Sequence, residues 1–439
     1  SVITPMGDTI RSWATTFIDV QDNMHACPTT TGNRVAINGK VMTETQEGVE
    51  NATLLLQSNE EMLQVSNNEG AYAFADMPVG GTYTLSGIKN DDYMNGVSTL
   101  DLVLIQRHIL GIEKLTSPYL LIAADVNKDK KITASDLVEL RKLILGINDK
   151  LANNNSWRFI DKSFTFADPF NAQAGDIKET YEINGLNTDL NIDFMAVKIG
   201  DVNASVVANA TNKVSESRSN KSLNMIADAK EFAKGDLVTM TFNTEEVATV
   251  SGIQFTLKYD PSTIDIKNIE GRDLSINENN IGWNRAAEGI LTFSWNKDNA
   301  QDVSEVMTIQ FVANRAGNTA ELFSVTSDVT NAEAYNAEME LMNVNLRTAG
   351  EIAGFELYQN TPNPFSANTI VQFRLPKASN VTFKVYDVTG KILKQINRDF
   401  AAGINTITLD KAQLGQSGVL YYQLEAGEFN ATRKMVVIE

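Results

Sequence analysis

The sequence predicts a mainly β protein, a tandem array of β-sandwich modules with one small α-helical unit among them. Three observations predict this. Segments of strand length that alternate apolar and polar recur between turn residues over most of the 439 residues. One stretch switches to helical spacing and repeats itself, residues 96–112 against 131–147. Residues 204–222, mostly Asn, Ser, Ala and Lys, show little periodicity and read as a linker, because they bury too little apolar area to offset ordering entropy. A length prior of roughly 100 to 200 residues per domain predicts three or four domains.

In chain order, residues 11–20 are β-branched and aromatic and stop at Gln21-Asp22-Asn23, so residues 1–31 resemble the end of an Ig-like repeat. The first residues, Ser1-Val2-Ile3-Thr4-Pro5, have neither a basic nor an apolar signal region, and the expectation is a start inside a longer precursor. From Val35 to Lys89, turn residues recur at strand spacing: Asn38-Gly39, Glu47-Gly48, Asn67-Asn68-Glu69-Gly70 and Pro78-Val79-Gly80-Gly81. With Ala71-Tyr72-Ala73-Phe74 and Thr82-Tyr83, this series resembles the carboxypeptidase regulatory-like domain, which implies a small sandwich over 32–89.

The repeat follows. Each copy places apolar residues at helical spacing (Leu102, Ile105, Ile109; Leu137, Leu140, Ile144) and stops at a glycine, Gly111 or Gly146, where a left-handed C-cap is expected. The helices are expected to pack on each other. Residues 151–203 alternate less cleanly and read as an irregular annex to the unit at 90–203. Strands then resume from Leu223 to about Thr348, a sandwich of about eight within 223–350, and again from Phe355 to Glu439, a smaller sandwich within 351–439.

Composition excludes several functions. A formal charge of −18 and a pI near 4.7 argue against a nucleic-acid partner, which needs a basic face. Apolar runs such as Leu102 to Ile105 and Tyr119 to Ala124 fall far short of the roughly 20 residues of a transmembrane segment. Cys27, His25 and His108 are the chain's whole supply of thiol and imidazole, too few for zinc sites or a Ser-His-Asp relay. No zinc-protease, nucleophile-elbow or phosphate-loop motif occurs, so no enzyme is expected.

The chemistry expected is calcium coordination. The segment 125–136 places oxygens at loop positions 1, 3, 5, 9 and 12 (Asp125, Asn127, Asp129, Thr133, Asp136), with the Lys131 carbonyl at position 7 and Ile132 as the apolar anchor. Six or seven oxygens at that spacing wrap a hard cation. The competing reading is a solvated acidic turn whose Asp136 faces a helix dipole. Position 6, usually Gly because the turn needs positive φ, is Lys130, at a cost of about 1 kcal/mol. The upstream copy keeps Asn90, Asp92, Ser98 and Asp101 but puts the thioether of Met94 at position 5, a poor ligand for a hard ion. Further on, Ile199-Gly200-Asp201-Val202-Asn203 echoes Ala124-Asp125-Val126-Asn127, which suggests that the annex returns to brace the pair or adds an acidic ligand, or is simply a polar strand end.

Two such loops, each followed by a helix ending in Ile-Leu-Gly-Ile, resemble a type I dockerin over about residues 90–147, which implies binding to a cohesin through the helices. Lys234-Gly235-Asp236, Val250 to Pro261, Trp295 and Phe311 to Asn318 resemble, in that order, a cohesin, the dockerin receptor. Tyr358-Gln359-Asn360-Thr361-Pro362-Asn363-Pro364-Phe365, Val385 to Lys391 and the terminal Lys434 to Glu439 resemble the type A sorting domain of the type IX secretion system. Together these resemblances imply the non-catalytic C-terminal part of an extracellular adhesin or structural protein of the Bacteroidetes type. The partners implied are proteins, homo-oligomer formation included, and the type IX translocon. The rival reading is the accessory tail of a secreted hydrolase. With dockerin-like and cohesin-like modules in one chain, docking within the chain is expected to be reachable, since about 19 linker residues span roughly 25 Å.

Overall fold

The computed structural model describes residues 2–3, 9–10, 34–209, 221–348 and 355–438, apart from 377, 402 and 428. The strand expected at 11–20 lies outside the described residues.

The first sandwich holds strands β1 (Arg34–Met42), β2 (Thr53–Gln57), β3 (Glu61–Val65), β4 (Ala71–Pro78) and β5 (Thr82–Ile88). It is not complete within 32–89. Four strands come from beyond the repeat: β6 (Trp157–Asp161), β7 (Thr180–Asn184), β8 (Leu190–Asn191) and β9 (Phe194–Lys198). One sheet runs β8-β1-β9-β6 with β4 also on β1, and the other β3-β2-β5-β7. β9 lies parallel to β1, Val41 opposite Phe194, and antiparallel to β6. The expected boundary at 89/90 is therefore corrected: the repeat is inserted into the sandwich, and the annex is sandwich. β6 and β9 are buried at every position, so they lack the alternation that reveals a half-exposed strand.

Helices α1 (Thr99–Leu110), α2 (Pro118–Ala124) and α3 (Ala134–Ile144) form the inserted unit. Ser98 and Thr133 cap α1 and α3, and each donates its own N–H in return to the carboxylate three residues on, Asp101 or Asp136. Gly111 and Gly146 take the expected left-handed turn, φ 73° and 63°. α2, not expected from sequence, begins at Ser117-Pro118, a cap followed by a proline whose missing N–H costs nothing at that position. β9 joins the two cores. Phe194 and Ala196 face Ile37, Leu54 and Trp157 of the sandwich, while Met195 and Val197 face Leu102, Leu121 and Leu140 of the helices. The linker also shortens: Val207 bonds to Asn95, Ala208 to Glu50 and Asn209 to Gly48, so residues 204–209 belong to this body.

The second sandwich comprises β10 (Ser222–Ala227), β11 (Leu237–Tyr259), β12 (Ile264–Gly271), β13 (Ile290–Ala313), β14 (Phe323–Thr326), β15 (Glu333–Tyr335) and β16 (Leu341–Thr348). β11 and β13 pair antiparallel almost throughout, with register shifts between Phe242 and Asn243, Asn243 and Ala248, and Val250 and Gly252, where bulges bend the strands. The core holds Phe242, Phe255, Phe293, Trp295 and Phe311.

The last sandwich holds β17 (Asn368–Leu375), β18 (Ser379–Asp387), β19 (Ile392–Phe400), β20 (Gly403–Asp410), β21 (Gly418–Ala426) and β22 (Phe429–Val437). Its entry motif is fastened from both ends. The Asn360 N–H donates to the Tyr422 hydroxyl (2.9 Å), which donates to the Tyr358 carbonyl (2.8 Å), and Phe365 bridges to the end of β22 through Val436 and Ile438. Gly390, φ 85°, closes the β18–β19 hairpin.

Candidate metal centre and docking face

The loop before α3 is already shaped around its first residue. Asp125, fully buried, accepts the N–H groups of Asp129 (3.0 Å) and Lys130 (3.1 Å), while Asn127 Oδ1 also accepts from Asp129 (3.0 Å). Asp136, equally buried, accepts from Asn127 (3.1 Å) and Thr133 (2.9 Å), which folds the end of the loop over its beginning. Lys128 and Lys130 take φ of 60° and 67°, so the position-6 lysine does adopt the strained conformation expected of it. Burial, then the facing Asp136, pushes the Asp125 carboxyl up to about 6, and burial also raises Asp136. A cation relieves both costs. Among the described residues no three His, Cys, Asp or Glu side chains converge as a ready metal cluster. The donor set at 125–136 is mixed, carboxylates with an amide, a hydroxyl and a carbonyl, which suits a hard ion.

The upstream loop is not built this way. Asn90 Oδ1 accepts the Ser156 N–H (2.8 Å) and the Tyr93 hydroxyl (2.5 Å), exposed Asp92 sits at φ 42°, and Met94 packs against the helical core. Asn95 and Val97 turn back to Asp92 and Met94 through their main chain. The expected gathering of Asn90 and Asp92 with Asp101 is therefore corrected. Asp101 instead accepts from Ser98 N–H (2.9 Å) and from Val202 N–H (2.8 Å), a residue of the annex.

The helical unit is docked on the second sandwich. The Thr99 N–H, which as the first helical N–H has no partner within α1, donates to Gln254 Oε1 (2.6 Å), and the Thr99 hydroxyl pairs with that of Ser294 (2.7 Å). At the end of α3 the carbonyls of Ile144, Leu145 and Gly146 accept from Thr330 (2.6 Å), Thr292 (2.6 Å) and Asn284 (2.8 Å). Asn296 bridges Gln106 and Arg141. The helix can approach this closely because of Gly252: a Cβ there would lie 3.0 Å from Thr99 Cγ2 and 3.4 Å from Val103. Sequence reasoning missed these receptor residues. The signal was the outward row Thr292, Ser294, Asn296, alternating with Leu291, Phe293 and Trp295, small and uncharged where a solvent face is usually charged.

Comparison with known proteins places three domains on this frame. The dockerin type I domain matches residues 91–145, the cohesin domain 223–354 and the secretion system C-terminal sorting domain 361–438. No curated protein matches. Similar solved structures include the seventh ScaB type I cohesin from Pseudobacteroides cellulosolvens, 16% identical over 29% of this chain and 88% of that chain, TM-score 0.23. CaCohA2 from Clostridium acetobutylicum is 13% identical over 30% and 93%, TM-score 0.21. The Coh-OlpC-Doc435 complex from Clostridium thermocellum, described as a type I cohesin–dockerin complex, is 10% identical over 30% and 96%, TM-score 0.21. The chain thus carries dockerin, cohesin and sorting domains, kinds that are not catalytic, and the type I dockerin kind binds calcium. Its partners are proteins, and the sorting domain marks it for export across the outer membrane, to the cell surface or beyond. Among the described residues no helix is long and apolar enough to cross a membrane.

Proposed function

We propose that this chain is the C-terminal part of a surface adhesin or structural appendage whose dockerin clasps the cohesin of the same chain. The observation that carries the reading is the seating of α1 and the end of α3 on β11 and β13, where Gln254, Thr292 and Ser294 are buried under the helices. Calcium at Asp125, Asn127, Asp129, the Lys131 carbonyl, Thr133 and Asp136 holds the loop that positions α3. The sandwich around the repeat acts as a carboxypeptidase regulatory-like brace, and the final domain engages the type IX translocon. A cohesin filled by its own dockerin links modules rather than recruiting foreign cargo, which favours an adhesive or structural role. Neighbouring copies can exchange the same faces and form a homo-oligomer.

The test uses two full-length variants, Leu145→Arg, which spoils the dockerin face, and Gly252→Arg, which blocks the cohesin face. Each alone is expected to be an open monomer with a lower sedimentation coefficient than the compact wild type. Mixed, they are expected to form a 1:1 pair through the two intact faces. A wild type that sediments as the open variants do, or two folded variants that ignore each other, would sink the clasp.

A further inference from the structure

We infer that the chain holds a second calcium site, assembled from two segments about a hundred residues apart: Asp201, Asn203 and Ser205 from the annex with the Gly96 carbonyl, Ser98 and Asp101 from the repeat. This deepens the calcium reading above and rests on it, but its residues 201–205 lie outside the span matched by the dockerin family, and they replace the Asn90 and Asp92 expected from sequence.

The annex reproduces three turn bonds of the first half of the Asp125 loop. Asp201 Oδ1 accepts from Ser205 (3.2 Å) as Asp125 Oδ1 does from Asp129 (3.0 Å). Asp201 Oδ2 accepts from Val206 (2.9 Å) as Asp125 Oδ2 does from Lys130 (3.1 Å). Asn203 Oδ1 accepts from Ser205 (3.1 Å) as Asn127 does from Asp129 (3.0 Å), and Ala204 takes the positive φ of Lys128, 58° against 60°. The second half of the site is the surviving half of the upstream copy: Gly96 stands where Lys131 does, Ser98 where Thr133 does, and Asp101 where Asp136 does. The break falls between loop positions 6 and 7, and there the two segments touch. Ser205 Oγ lies 3.1 Å from the Gly96 carbonyl, Asn95 bonds both the N–H and the carbonyl of Val207, and a Cβ on Gly96 would meet Val206 at 2.7 Å. Glycine is required at 96 for the segments to meet.

The charge balance points independently to a cation. Asp101 is fully buried and Asp201 is 4% exposed, and among the described residues neither takes part in an ion pair. Lys198, 4% exposed, lies near enough to be felt by both, yet its ammonium is spent on the Tyr93 carbonyl (2.9 Å). Burial, then repulsion from Asp201, holds the Asp101 carboxyl well above the usual carboxylate range. Two facing buried carboxylates without a bonded counter-charge are costly, and a divalent ion among hydroxyl, amide and carbonyl oxygens removes that cost.

The experiment counts calcium ions on the full chain by native mass spectrometry, with the fold checked by circular dichroism. Wild type is expected to hold two ions, Asp201→Ala one, Asp125→Ala one, and Asn90→Ala still two. Should Asp201→Ala fail to fold, the double variant of exposed donors, Asn203→Ala with Ser205→Ala, replaces it and is expected to weaken the second ion at least tenfold. A wild type with a single ion that Asp125→Ala removes, or a second ion that survives both annex variants, overturns the split site and leaves the Asp125 site standing. A chain that holds no calcium overturns both.

Discussion

The two copies of the repeat, residues 96–112 and 131–147, are near relatives in sequence and opposites in environment. Val103 is fully buried under the second sandwich, whereas its counterpart Val138 is 51% exposed. Leu145 is 1% exposed beneath the same sandwich, whereas its counterpart Leu110 is 56% exposed. The first copy therefore docks by the start of its helix and the second by the end of its own. Their loops differ as well: 125–136 is continuous, while 90–101 has given up its first half. A duplication supplies two interchangeable surfaces, and a single partner can cover only one end of each.

The largest expected effect tests that asymmetry directly. Leu145→Asp removes a buried leucine and leaves a carboxylate facing the Thr292 strand, a loss of about 3 kcal/mol from docking. Leu110→Asp, at the matching position, is expected to change docking by less than about 0.5 kcal/mol. Sedimentation velocity on both full-length variants checks this, and equal behaviour would erase the distinction between the copies.

Next in size is the loop contrast. Calcium at a hundredfold excess over its Kd stabilises the native state by about 2.7 kcal/mol per site, visible as a rise in melting temperature. Asp125→Ala is expected to lose most of the rise that its site provides, and Asn90→Ala little. Hydrogen exchange of residues 136–145 should slow with calcium, because the unneutralised carboxylates loosen the turn that starts α3. Exchange unaffected by a chelator would reduce the loop to a solvated turn.

A smaller effect sharpens the account of the α1 end. Thr99→Val keeps the shape but loses the hydroxyl bond to Ser294, about 1 kcal/mol, and a double-mutant cycle with Ser294→Ala should return most of that as coupling. Ala134→Thr, the reciprocal change in the second copy, faces solvent and should return none.

The smallest concerns His108, where the second copy has Leu143. His108 Nδ1 accepts the Leu115 N–H (3.0 Å), and burial lowers its pKa below the ordinary value. The unfolded chain therefore takes up the proton more readily, so this contribution is present above about pH 6.5 and lost as the pH falls through the folded-state value. His108→Leu is expected to flatten that part of the pH dependence of melting. An unchanged slope would assign it to other groups.

The loop 125–136 and the repeat helices were legible in the sequence because their signals are local. Asp125 to Asp136 carry their ligand spacing within twelve residues, and the glycines after each helix mark its end whatever surrounds them. The annex was misread for the opposite reason. Trp157–Asp161 and Phe194–Lys198 are covered on both faces, so their pattern has no exposed side from which a period could be read. The Asp201-Val202-Asn203 echo was visible, but its pairing with Asp101 was not, since Val202 and Asp101 are 101 positions apart.

The sequence by itself determined the order of the dockerin, cohesin and sorting modules, the glycine stops of the two repeat helices, the oxygen spacing of 125–136 and the sorting motifs, because each depends on residues that are neighbours along the chain. Only the tertiary structure decided that the repeat is an insertion in a sandwich completed by residues 157–198. It also decided which end of each repeat helix is covered, and that Asp101 looks to Asp201 rather than to Asn90. These outcomes turn on which surfaces meet, and β9 makes the meeting possible: Phe194 and Ala196 point into one core while Met195 and Val197 point into the other. A strand's two faces are spelled out in its sequence, but what each face buries is set by the partner that arrives.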